Sequence, residues 1–445
     1  MRIVLPEAVE QIISALESRG YQAYAVGGCV RDSIMGRAPS DWDIATAAKP
    51  AEVKELFSNT VDTGLKHGTV TVIIDSIGYE VTTFRFDGEY IDSRHPNTVV
   101  YTESLTNDLS RRDFTINAIA YNYNSGMVDP FDGLSDIGKK LIRAVGDPQV
   151  RFSEDALRML RAVRFSAQLD FDIDEAAIEA IKYNYTNIGR ISFERIREEL
   201  NKLLLSDKPS KIDLLKETGL LKIILPELNA CYNTEQRNPY HIYNVAEHII
   251  SSVSHIDKNL LLRWVMLLHD IGKPLVKTTD SRGIHRFSNH EKVSAVLAEN
   301  ILKRLRFDTA FIEDAVKLIQ FHSFQLEPDI KSVRKAMSKL GEQLFLQLIK
   351  VKRADMLAHE PYLSYDRLNL LDYINILYKQ IISEGQCFNL KSLAVNGKDL
   401  LNAGFKEEKR IGNILDSLLN IVIDDPSMNN KDALLKEAEK IKYND

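Results

Sequence analysis

The spacing of hydrophobic residues changes along the chain and predicts two kinds of region. Apolar residues near the N-terminus recur at helical spacing, which predicts a helix over residues 1–20. From Leu65 the pattern alternates instead, and GTVTVII, a turn at residues 75–78 and YEVTTFRF predict a β-hairpin. From Lys139 onward the pattern is helical again. The chain is therefore predicted to be α+β, with strands and helices first and helices alone afterwards.

A short apolar run, YQAYAV, predicts a strand that leads into the motif GGCVRD. Gly27 and Gly28 carry no side chain, so a ligand can approach the backbone closely at this point. The helix predicted to follow places its amide groups and the cation of Arg31 where phosphate groups can sit. Two glycines alone indicate only a turn, so the functional interpretation depends on the residues that follow.

Two aspartates flank a tryptophan in the segment SDWDIAT. In an extended segment Asp41 and Asp43 project from one face, where they repel each other unless a cation lies between them. Mg²⁺ prefers oxygen ligands and completes its shell with substrate phosphates, so the pair predicts a magnesium site. Glu80, at the start of the second hairpin strand, is either a third carboxylate of this site or a surface residue.

The segment RRDFTINAIAYN provides a second group of polar residues. Arginines such as Arg112 can hold a triphosphate through forked hydrogen bonds. Asp113 and Asn117 are four residues apart, which predicts that they share one helical face and can contact a ribose hydroxyl. The alternative is the start of a helix with charges on its surface.

A third group lies in RFSEDALRMLRAVRF, where Ser153 is predicted to cap a helix. Asp155, Arg158 and Arg161 are spaced by three and share a face of that helix, with Arg164 following. An aspartate and an arginine one turn apart can together donate to and accept from the edge of a base. A surface ion pair is the alternative, but it does not explain three arginines in register.

Histidines and aspartates accumulate in the second half of the chain, where HDIGKP ends an apolar helix. The candidate metal ligands there are His248, His269, Asp270, His290, His322 and Asp355. Imidazole ligands suit transition metals better than Mg²⁺. A lone histidine is more often a core or surface residue, so the metal interpretation depends on the resemblance of the whole series to a known family.

Composition narrows the class of protein. A chain of 445 residues is long enough for two to four domains. The formal net charge of −6 means that any nucleic acid must bind to basic residues gathered on one face. Three scattered cysteines suit a reducing compartment and give no disulfide framework, and no apolar run is long enough to cross a bilayer. We expect a cytoplasmic protein that does not contact membranes.

In their order along the chain, GGxxRD with DxDIAT, RRDFTINA and EDxLRxxR resemble the motifs of the DNA polymerase β nucleotidyltransferase superfamily. The resemblance is closest to the class II branch that contains bacterial tRNA nucleotidyltransferases (CCA-adding enzymes) and poly(A) polymerases. It implies a polymerase β-like nucleotidyltransferase head with a mixed sheet and helices over residues 1–145. An all-helical neck and body (146–237), an HD domain (238–360) and a helical tail (361–445) would follow.

The resemblance also implies an activity: template-independent addition of C, C and A to the 3′ end of tRNA from CTP and ATP. Asp41 and Asp43, with Glu80 as a third candidate, would hold two Mg²⁺ ions. Asp155 and Arg158 would select the base in place of a template. The implied nucleotide-binding residues are Gly27, Gly28, Arg31, Arg112, Asp113, Asn117, Asp155, Arg158, Arg161 and Arg164.

The histidine series resembles the H…HD…D pattern of the HD phosphohydrolase superfamily. It implies that His248, His269, Asp270 and Asp355 bind a divalent metal such as Mn, Ni, Fe or Co. His290 and His322 would support a second metal ion. Such a metal activates water against phosphoesters. Domains of this kind can also serve as RNA-binding scaffolds, so the two interpretations stand side by side.

Residues 86–101 are polar and rich in turn residues, which predicts a long loop. The loop contains DGxYxDxRxP, which resembles the flexible loop that helps CCA-adding enzymes switch from C to A addition. Three alternatives remain open: an A-adding enzyme or poly(A) polymerase, an HD phosphodiesterase or phosphatase, and a non-catalytic RNA-binding protein. The intact DxD and EDxLRxxR motifs disfavour the last, and the sequence leaves open a monomer or a homodimer.

Overall fold

The structure is a computed structural model that describes residues 2–87, 99–237, 243–359, 361–405 and 408–444. The chain divides into two compact units, Met1–Pro226 and Glu227–Asp445. The first unit contains a mixed sheet with helices and then helices, and the second is almost entirely helical. This confirms the α+β architecture predicted from the sequence, whereas the division into four segments stays a prediction.

A seven-stranded sheet, in the order β3-β4-β5-β2-β1-β8-β9, forms the centre of the first unit. The strands of this unit are β1 (Ala23–Val26), β2 (Asp43–Thr46), β3 (Thr60–Gly64), β4 (Thr69–Ile74), β5 (Ile77–Thr83), β6 (Arg85–Asp87), β7 (Val99–Tyr101), β8 (Ala120–Asn122), β9 (Gly126–Val128), β10 (Leu141–Ile142) and β11 (Asp172–Ile173). Within the sheet β2 and β5 run parallel, and the other neighbouring strands run antiparallel. The parallel pair lies at the centre, where it places Asp43, the first residue of β2, beside Glu80, the fourth residue of β5.

Helices cover the sheet and continue beyond it. They are α1 (Glu7–Ser18), α2 (Gly28–Ile34), α3 (Pro50–Leu56), α4 (Leu105–Ser110), α5 (Gly133–Lys139), α6 (Pro148–Glu154), α7 (Leu157–Leu169), α8 (Glu175–Asn184), α9 (Phe193–Leu204), α10 (Asp213–Glu217) and α11 (Leu221–Ile224). The predicted N-terminal helix is confirmed as α1, and its apolar face is buried in the core that contains the inner strands. Burial of that face is the main source of its stability, since isolated short helices are marginal.

The second unit is built from helices around an apolar centre. They are α12 (Pro226–Cys231), α13 (Val245–His255), α14 (Leu260–Leu268), α15 (Lys273–Val276), α16 (His290–Arg304), α17 (Thr309–Phe321), α18 (Ile330–Leu340), α19 (Glu342–Leu357), α20 (Pro361–Ser383), α21 (Gly397–Asn402), α22 (Glu408–Asp424) and α23 (Lys431–Asn444), with the strand pair β12 (Thr278–Thr279) and β13 (His285–Arg286). Residues 262–268 of α14 are all buried. Among the described residues, none of the helices is both long and apolar enough to cross a membrane.

Three local predictions need correction. The predicted hairpin is confirmed as β4 and β5, but Leu65–His67 form a 3-10 helix, and the sequence analysis missed β3. The two ends of the predicted loop are strands, β6 and β7, which pair antiparallel. The part of DGxYxDxRxP after Asp87 lies outside the described residues.

The helix predicted to start at Ser153 is in fact two helices, α6 and α7. The Oγ atom of Ser153 donates to the Val150 carbonyl, 2.8 Å away, so it caps nothing. The chain leaves the helical conformation at Asp155, whose Oδ1 atom accepts from the amide of Leu157 at 3.0 Å. Asp155 therefore caps α7, the role that the sequence suggested for Ser153.

Candidate functional site: an acidic strand edge and a histidine–aspartate cluster

Three carboxylates gather at the start of the central parallel pair. Asp43 is the first residue of β2, and it lies in register with Glu80 of β5. Residues in register on neighbouring strands project from the same face, so these side chains are neighbours. Asp41 precedes β2 by two residues, and all three carboxylates are exposed to solvent. The structure thus brings together the three acidic residues singled out in the sequence.

The three carboxylates at this strand edge repel one another when no cation is bound. Asp43 lies in a concave site, so protein atoms surround its carboxylate even though solvent reaches it. That partial desolvation, with repulsion from Asp41 and Glu80, raises the pKa of Asp43 to about 6 against the attraction of Arg112. A divalent cation relieves such repulsion, and carboxylate oxygens are the ligands Mg²⁺ takes, so the residues fit a magnesium site.

Arginines face the carboxylates across a cavity of about 390 Å³, whose lining includes Asp43, Glu80, Arg85, Arg111 and Arg112. Asp108, which is buried, accepts from Arg111 at 2.7 Å and from Arg112 at 3.3 Å. Although burial opposes it, these two guanidinium groups hold the pKa of Asp108 below its usual value. Asp108 therefore fixes both arginines, and the cavity combines carboxylates for a cation with cations for an anion.

The glycine motif leaves room for one of these arginines. Gly27 has φ 81°, and a Cβ atom there would lie 3.0 Å from Nη1 of Arg112. Glycine tolerates this φ and this close approach, which a side chain would not. Gly28 begins α2, which carries Arg31. The sequence motif thus places a helix start and the guanidinium of Arg112 next to each other.

Asp113 is buried and is the centre of a hydrogen-bond network. Its Oδ2 atom accepts from Nε and Nη2 of Arg161 at 2.8 and 2.6 Å, and its Oδ1 atom accepts from Asn117 at 3.1 Å. Arg31 donates to Oδ1 of Asn117 at 2.6 Å. Although burial favours the neutral acid, Arg161 and Asn117 hold the pKa of Asp113 well below its usual range.

The predicted shared helical face of Asp113 and Asn117 is wrong. Residues 113 and 114 are not helical, and residues 115–117 form a 3-10 turn. The two side chains meet because this turn folds back, not because of α-helical spacing. The contact itself is present at 3.1 Å.

The arginines of α7 share one face, and each has its own carboxylate partner. Arg158 donates to Glu154 at 2.7 Å, and Arg164 donates to Glu199 of α9 at 2.6 Å. Asp155 contacts Arg195 of α9 at 3.0 Å. Asp155 and Arg158 thus each contact another residue, and their joint contact with a base stays a prediction. Sequence reasoning missed Glu199, which is buried.

Phe165 of α7 lies among three guanidinium groups. Its ring centroid is 5.2 Å from Cζ of Arg31, 5.4 Å from that of Arg161 and 3.6 Å from that of Arg164. The ring is 5% exposed and also packs edge-on against Phe114. Its face attracts cations, so the ring keeps like charges close together. Phe165 was not predicted from sequence, because it looked like an ordinary core residue.

In the second unit the six predicted ligands converge on one place. The Nε2 atom of His248 lies 2.9 Å from Oδ1 of Asp355 and 3.5 Å from Oδ2 of Asp270. The Nε2 atom of His269 lies 3.4 Å from Asp270 and 3.5 Å from Asp355. On the other side of Asp270, its Oδ1 atom lies 3.2 Å from Nε2 of His290 and 3.7 Å from Nε2 of His322. We call these six residues the histidine–aspartate cluster.

Backbone carbonyls set the orientation of three histidines in the cluster. The Nδ1 atoms of His269, His290 and His322 lie 2.7, 2.8 and 2.6 Å from the carbonyls three residues earlier. A carbonyl only accepts, so each Nδ1 carries the proton, and in the neutral ring Nε2 keeps a lone pair for a metal. Nε2 of each ring points toward Asp270.

The cluster contains buried polar atoms without a hydrogen-bond partner among the described residues. Nε2 of His269 and Oδ1 of Asp270 are buried and make no hydrogen bond among the described residues. Against the effect of burial, Asp270 and Asp355 raise the pKa of His269 to about 10. Although burial opposes it, His269 and Lys273 hold the pKa of Asp270 well below its usual value. A bound cation would satisfy these atoms and release a proton from the cluster.

Two further residues, which the sequence analysis did not select, adjoin the cluster. Lys273 contacts Asp270 at 2.6 Å, and His359 stacks on the ring of His248 with centroids 4.9 Å apart. His248, Asp355 and His359 also offer ligand atoms close enough to share one ion. The signal for Lys273 was its place beside the HD pair, whereas nothing in the spacing marked His359.

Comparison with known families agrees with the order of these features. Residues 23–143 match the family model of the poly A polymerase head domain. Residues 170–232 match a model described as the probable RNA and SrmB-binding site of polymerase A, and residues 278–438 match one described as tRNA nucleotidyltransferase domain 2, putative.

Related proteins align with nearly the full chain. The CCA-adding enzyme of Pediococcus pentosaceus is 34% identical over 442 residues, which cover 99% of both chains. That of Limosilactobacillus reuteri is 36% identical over 448 residues, which cover 98% of this chain and 96% of the relative. Among solved structures, the Bacillus stearothermophilus CCA-adding enzyme in complex with CTP aligns with a TM-score of 0.72 and 28% identity over 98% of each chain.

Proposed function

This chain belongs to the family of CCA-adding enzymes, and we propose that it adds C, C and A to the 3′ end of tRNA from CTP and ATP. The names of the P. pentosaceus and L. reuteri relatives support the reaction, and the CTP complex of the B. stearothermophilus enzyme supports one donor. One observation carries the proposal. Asp43 and Glu80 lie in register on two strands and line one cavity with Arg111 and Arg112, and Asp41, two residues before Asp43, repels the Asp43 carboxylate.

We propose that Asp41 and Asp43 hold two Mg²⁺ ions, with Glu80 as the third carboxylate beside them. Ions bound there would supply charge neutralisation for the triphosphate and a lower pKa for the attacking 3′-hydroxyl. Arg112, fixed by Asp108, contacts the phosphates, and Gly27 leaves space for the Arg112 guanidinium. The protein residues thus position both reactants, which is most of what phosphoryl transfer requires.

Base selection is assigned to the junction of α6 and α7. Asp155 and Arg158 now contact Arg195 and Glu154, so a bound base replaces one partner of each. Asp155 accepts from the exocyclic amino group that cytosine and adenine share, and Arg158 donates to a ring acceptor. Arg161 and Arg164 stay bound to carboxylates and keep the helix face rigid.

The direct test is Asp41→Ala. We expect loss of labelled nucleotide incorporation into tRNA, because one ligand of the proposed cation pair is gone, with tRNA binding kept. The control is Asp62→Ala on β3 of the same sheet, an exposed carboxylate that pairs only with Lys54 among the described residues. Incorporation that survives in Asp41→Ala would contradict the two-metal assignment.

A second function is favoured by the buried unpaired atoms of the histidine–aspartate cluster. We propose that the cluster binds a divalent transition metal and hydrolyses a phosphoester. His248, His269, Asp270 and Asp355 hold the metal, which supplies an activated water. Nε2 of His290 and of His322 can hold a second ion. This site lies in the second unit and uses none of the carboxylates of the strand edge.

The metal content of purified protein tests this second function. We expect His269→Ala to lose the divalent transition metal that the wild type keeps after dialysis. His255→Ala should keep it, since His255 is an exposed histidine on the same helix as His248. A wild type without bound metal, after growth with Mn, Ni, Fe and Co, would rule out the site.

A further inference from the structure

Three lysines form a stripe on one exposed helix face in the second unit. Lys331, Lys335 and Lys339 lie four residues apart on α18, and all three are exposed. Residues four apart on a helix share a face and are separated by about 6 Å along the axis. The opposite face of α18 is buried, with Val333 and Met337. We call the three residues the lysine stripe.

The lysine stripe borders a shallow concavity of about 350 Å³ that Phe324, Asp329 and Ser332 also line. The Nζ atom of Lys339 lies 5.5 Å from the centroid of the Phe324 ring. A ring beside a row of cations is the combination that binds single-stranded nucleic acid, because bases stack on the ring and phosphates contact the cations.

Three lysines and one acidic residue, Asp329, line the concavity, although Asp424 and Asp425 also lie near α18. Asp329 caps α18, where its Oδ1 atom accepts from the amide of Ser332 at 2.9 Å. Asp424 pairs with Lys331 at 2.9 Å, but both side chains are more than half exposed, so the pair contributes little. The concavity therefore presents net positive charge in a chain whose formal net charge is −6.

The concavity beside the lysine stripe adjoins the histidine–aspartate cluster along the chain. Ser323 is exposed, and its Oγ atom lies 3.0 Å from Nε2 of His322 and 3.3 Å from Nε2 of His290. The next residue is Phe324, which lines the concavity. Consecutive Cα atoms are about 3.8 Å apart, so Ser323, which contacts the cluster, directly adjoins Phe324, which lines the concavity.

We propose that the lysine stripe binds the phosphate backbone of single-stranded RNA and leads it to the histidine–aspartate cluster. The substrate of the cluster is then a phosphoester of an RNA chain rather than a free nucleotide. In the reaction, water adds to phosphorus and the ester bond breaks, which yields phosphate and a free hydroxyl group. The inference about substrate rests on the proposed phosphohydrolase function, but the inference about RNA binding does not.

RNA binding is tested by the salt dependence of affinity for a fluorescent oligouridylate. Each lost phosphate contact lowers the slope of log K against log salt by about 0.7 for single strands, so the triple variant K331Q/K335Q/K339Q should lower it by about 2. The control K303Q/K350Q/K379Q removes three exposed lysines from three different helices and should leave the slope unchanged. An unchanged slope in the stripe variant would overturn the proposal.

Substrate class is tested by comparing hydrolysis of a 3′-phosphorylated oligouridylate with that of p-nitrophenyl phosphate. We expect the stripe variant to lose about tenfold or more in kcat/KM on the RNA and to keep its rate on the small ester. Equal losses on both would mean that the stripe only supports the fold. If the wild type hydrolyses neither substrate, the phosphohydrolase proposal is wrong. The salt slope then tests, independently, whether the lysine stripe binds RNA.

Discussion

Asp43 shows how one residue reports on the whole strand edge. Its carboxylate lies beside Asp41 and Glu80, and the structure raises its pKa to about 6, chiefly through the protein atoms around it. A raised pKa within a cluster of acidic residues in a cavity is typical of a binding site. Metal binding would remove the repulsion.

Asp43→Asn should therefore stabilise the protein without metal. The folded pKa of about 6 exceeds the usual aspartate value of 3.8, so the destabilisation is absent below pH 3.8 and complete above pH 6. We expect the variant to melt at a higher temperature than wild type at pH 7.5 in EDTA, and at the same temperature near pH 4. Added Mg²⁺ should stabilise the wild type more than the variant.

The control for this prediction is Asp62→Asn, a carboxylate already paired with Lys54. It should not raise the melting temperature in EDTA. A wild type and an Asp43→Asn variant with equal melting temperatures at pH 7.5 would show that the carboxylates do not repel one another.

At the scale of residues, sequence motifs predicted which side chains meet but not how they pair. The motif predicts that Asp155 and Arg158 read a base together, and in the structure they contact Arg195 and Glu154. The partner of Asp155, Arg195, lies on α9, about forty residues away along the chain. Spacing within one helix cannot contain that information.

At the scale of elements, α7 is where the arginine network is organised. The ring of Phe165 lies beside Arg31 of α2 and beside Arg161 and Arg164 of its own helix. Arg31 also reaches Arg161 through Asn117 and Asp113, which closes a ring of contacts. Two helices and one turn thus belong to one connected network of contacts.

Phe165→Leu should weaken nucleotide binding more than it slows the chemical step. Without the aromatic face Arg31 and Arg161 lose contacts worth about 0.5–2 kcal/mol each, which predicts a rise in KM for CTP and ATP of about tenfold at nearly constant kcat. Phe165→Tyr should retain wild-type KM. The control Phe171→Leu removes another buried ring that is not beside these arginines.

Steady-state kinetics with tRNA in excess would measure both parameters. Equal losses in Phe165→Leu and Phe171→Leu, or a fall in kcat alone, would mean that Phe165 serves only the core. A Tyr variant as impaired as the Leu variant would equally contradict a role for the aromatic face.

Periodicity predicted the long elements better than the short ones. The amphipathic α1 and the alternating β4 and β5 were recognised because their apolar positions recur and are buried. Strand β3 was missed because its residues, TVDTG, are mostly exposed and show no apolar alternation. The break between α6 and α7 was missed because the apolar spacing continues through it, while Asp155 leaves the helical conformation.

At the scale of the molecule, two kinds of chemistry lie in two compact units. The first unit contains the carboxylates and arginines of the strand edge, and the second contains the histidine–aspartate cluster. The order of motifs predicted the family, since the signatures follow one another along nearly the whole chain. The lysine stripe was not predicted, because three lysines become a surface only when the neighbouring concavity is known.

The central claim is that the strand edge adds C, C and A to tRNA. The most direct measurement is incorporation of labelled CTP and ATP, separately and together, into tRNA transcripts that end before CCA, with products resolved to single nucleotides. We predict two C residues with CTP alone and one further A when ATP is added. Addition of A only to transcripts ending in CC, long A tails, or no incorporation at all would contradict the account.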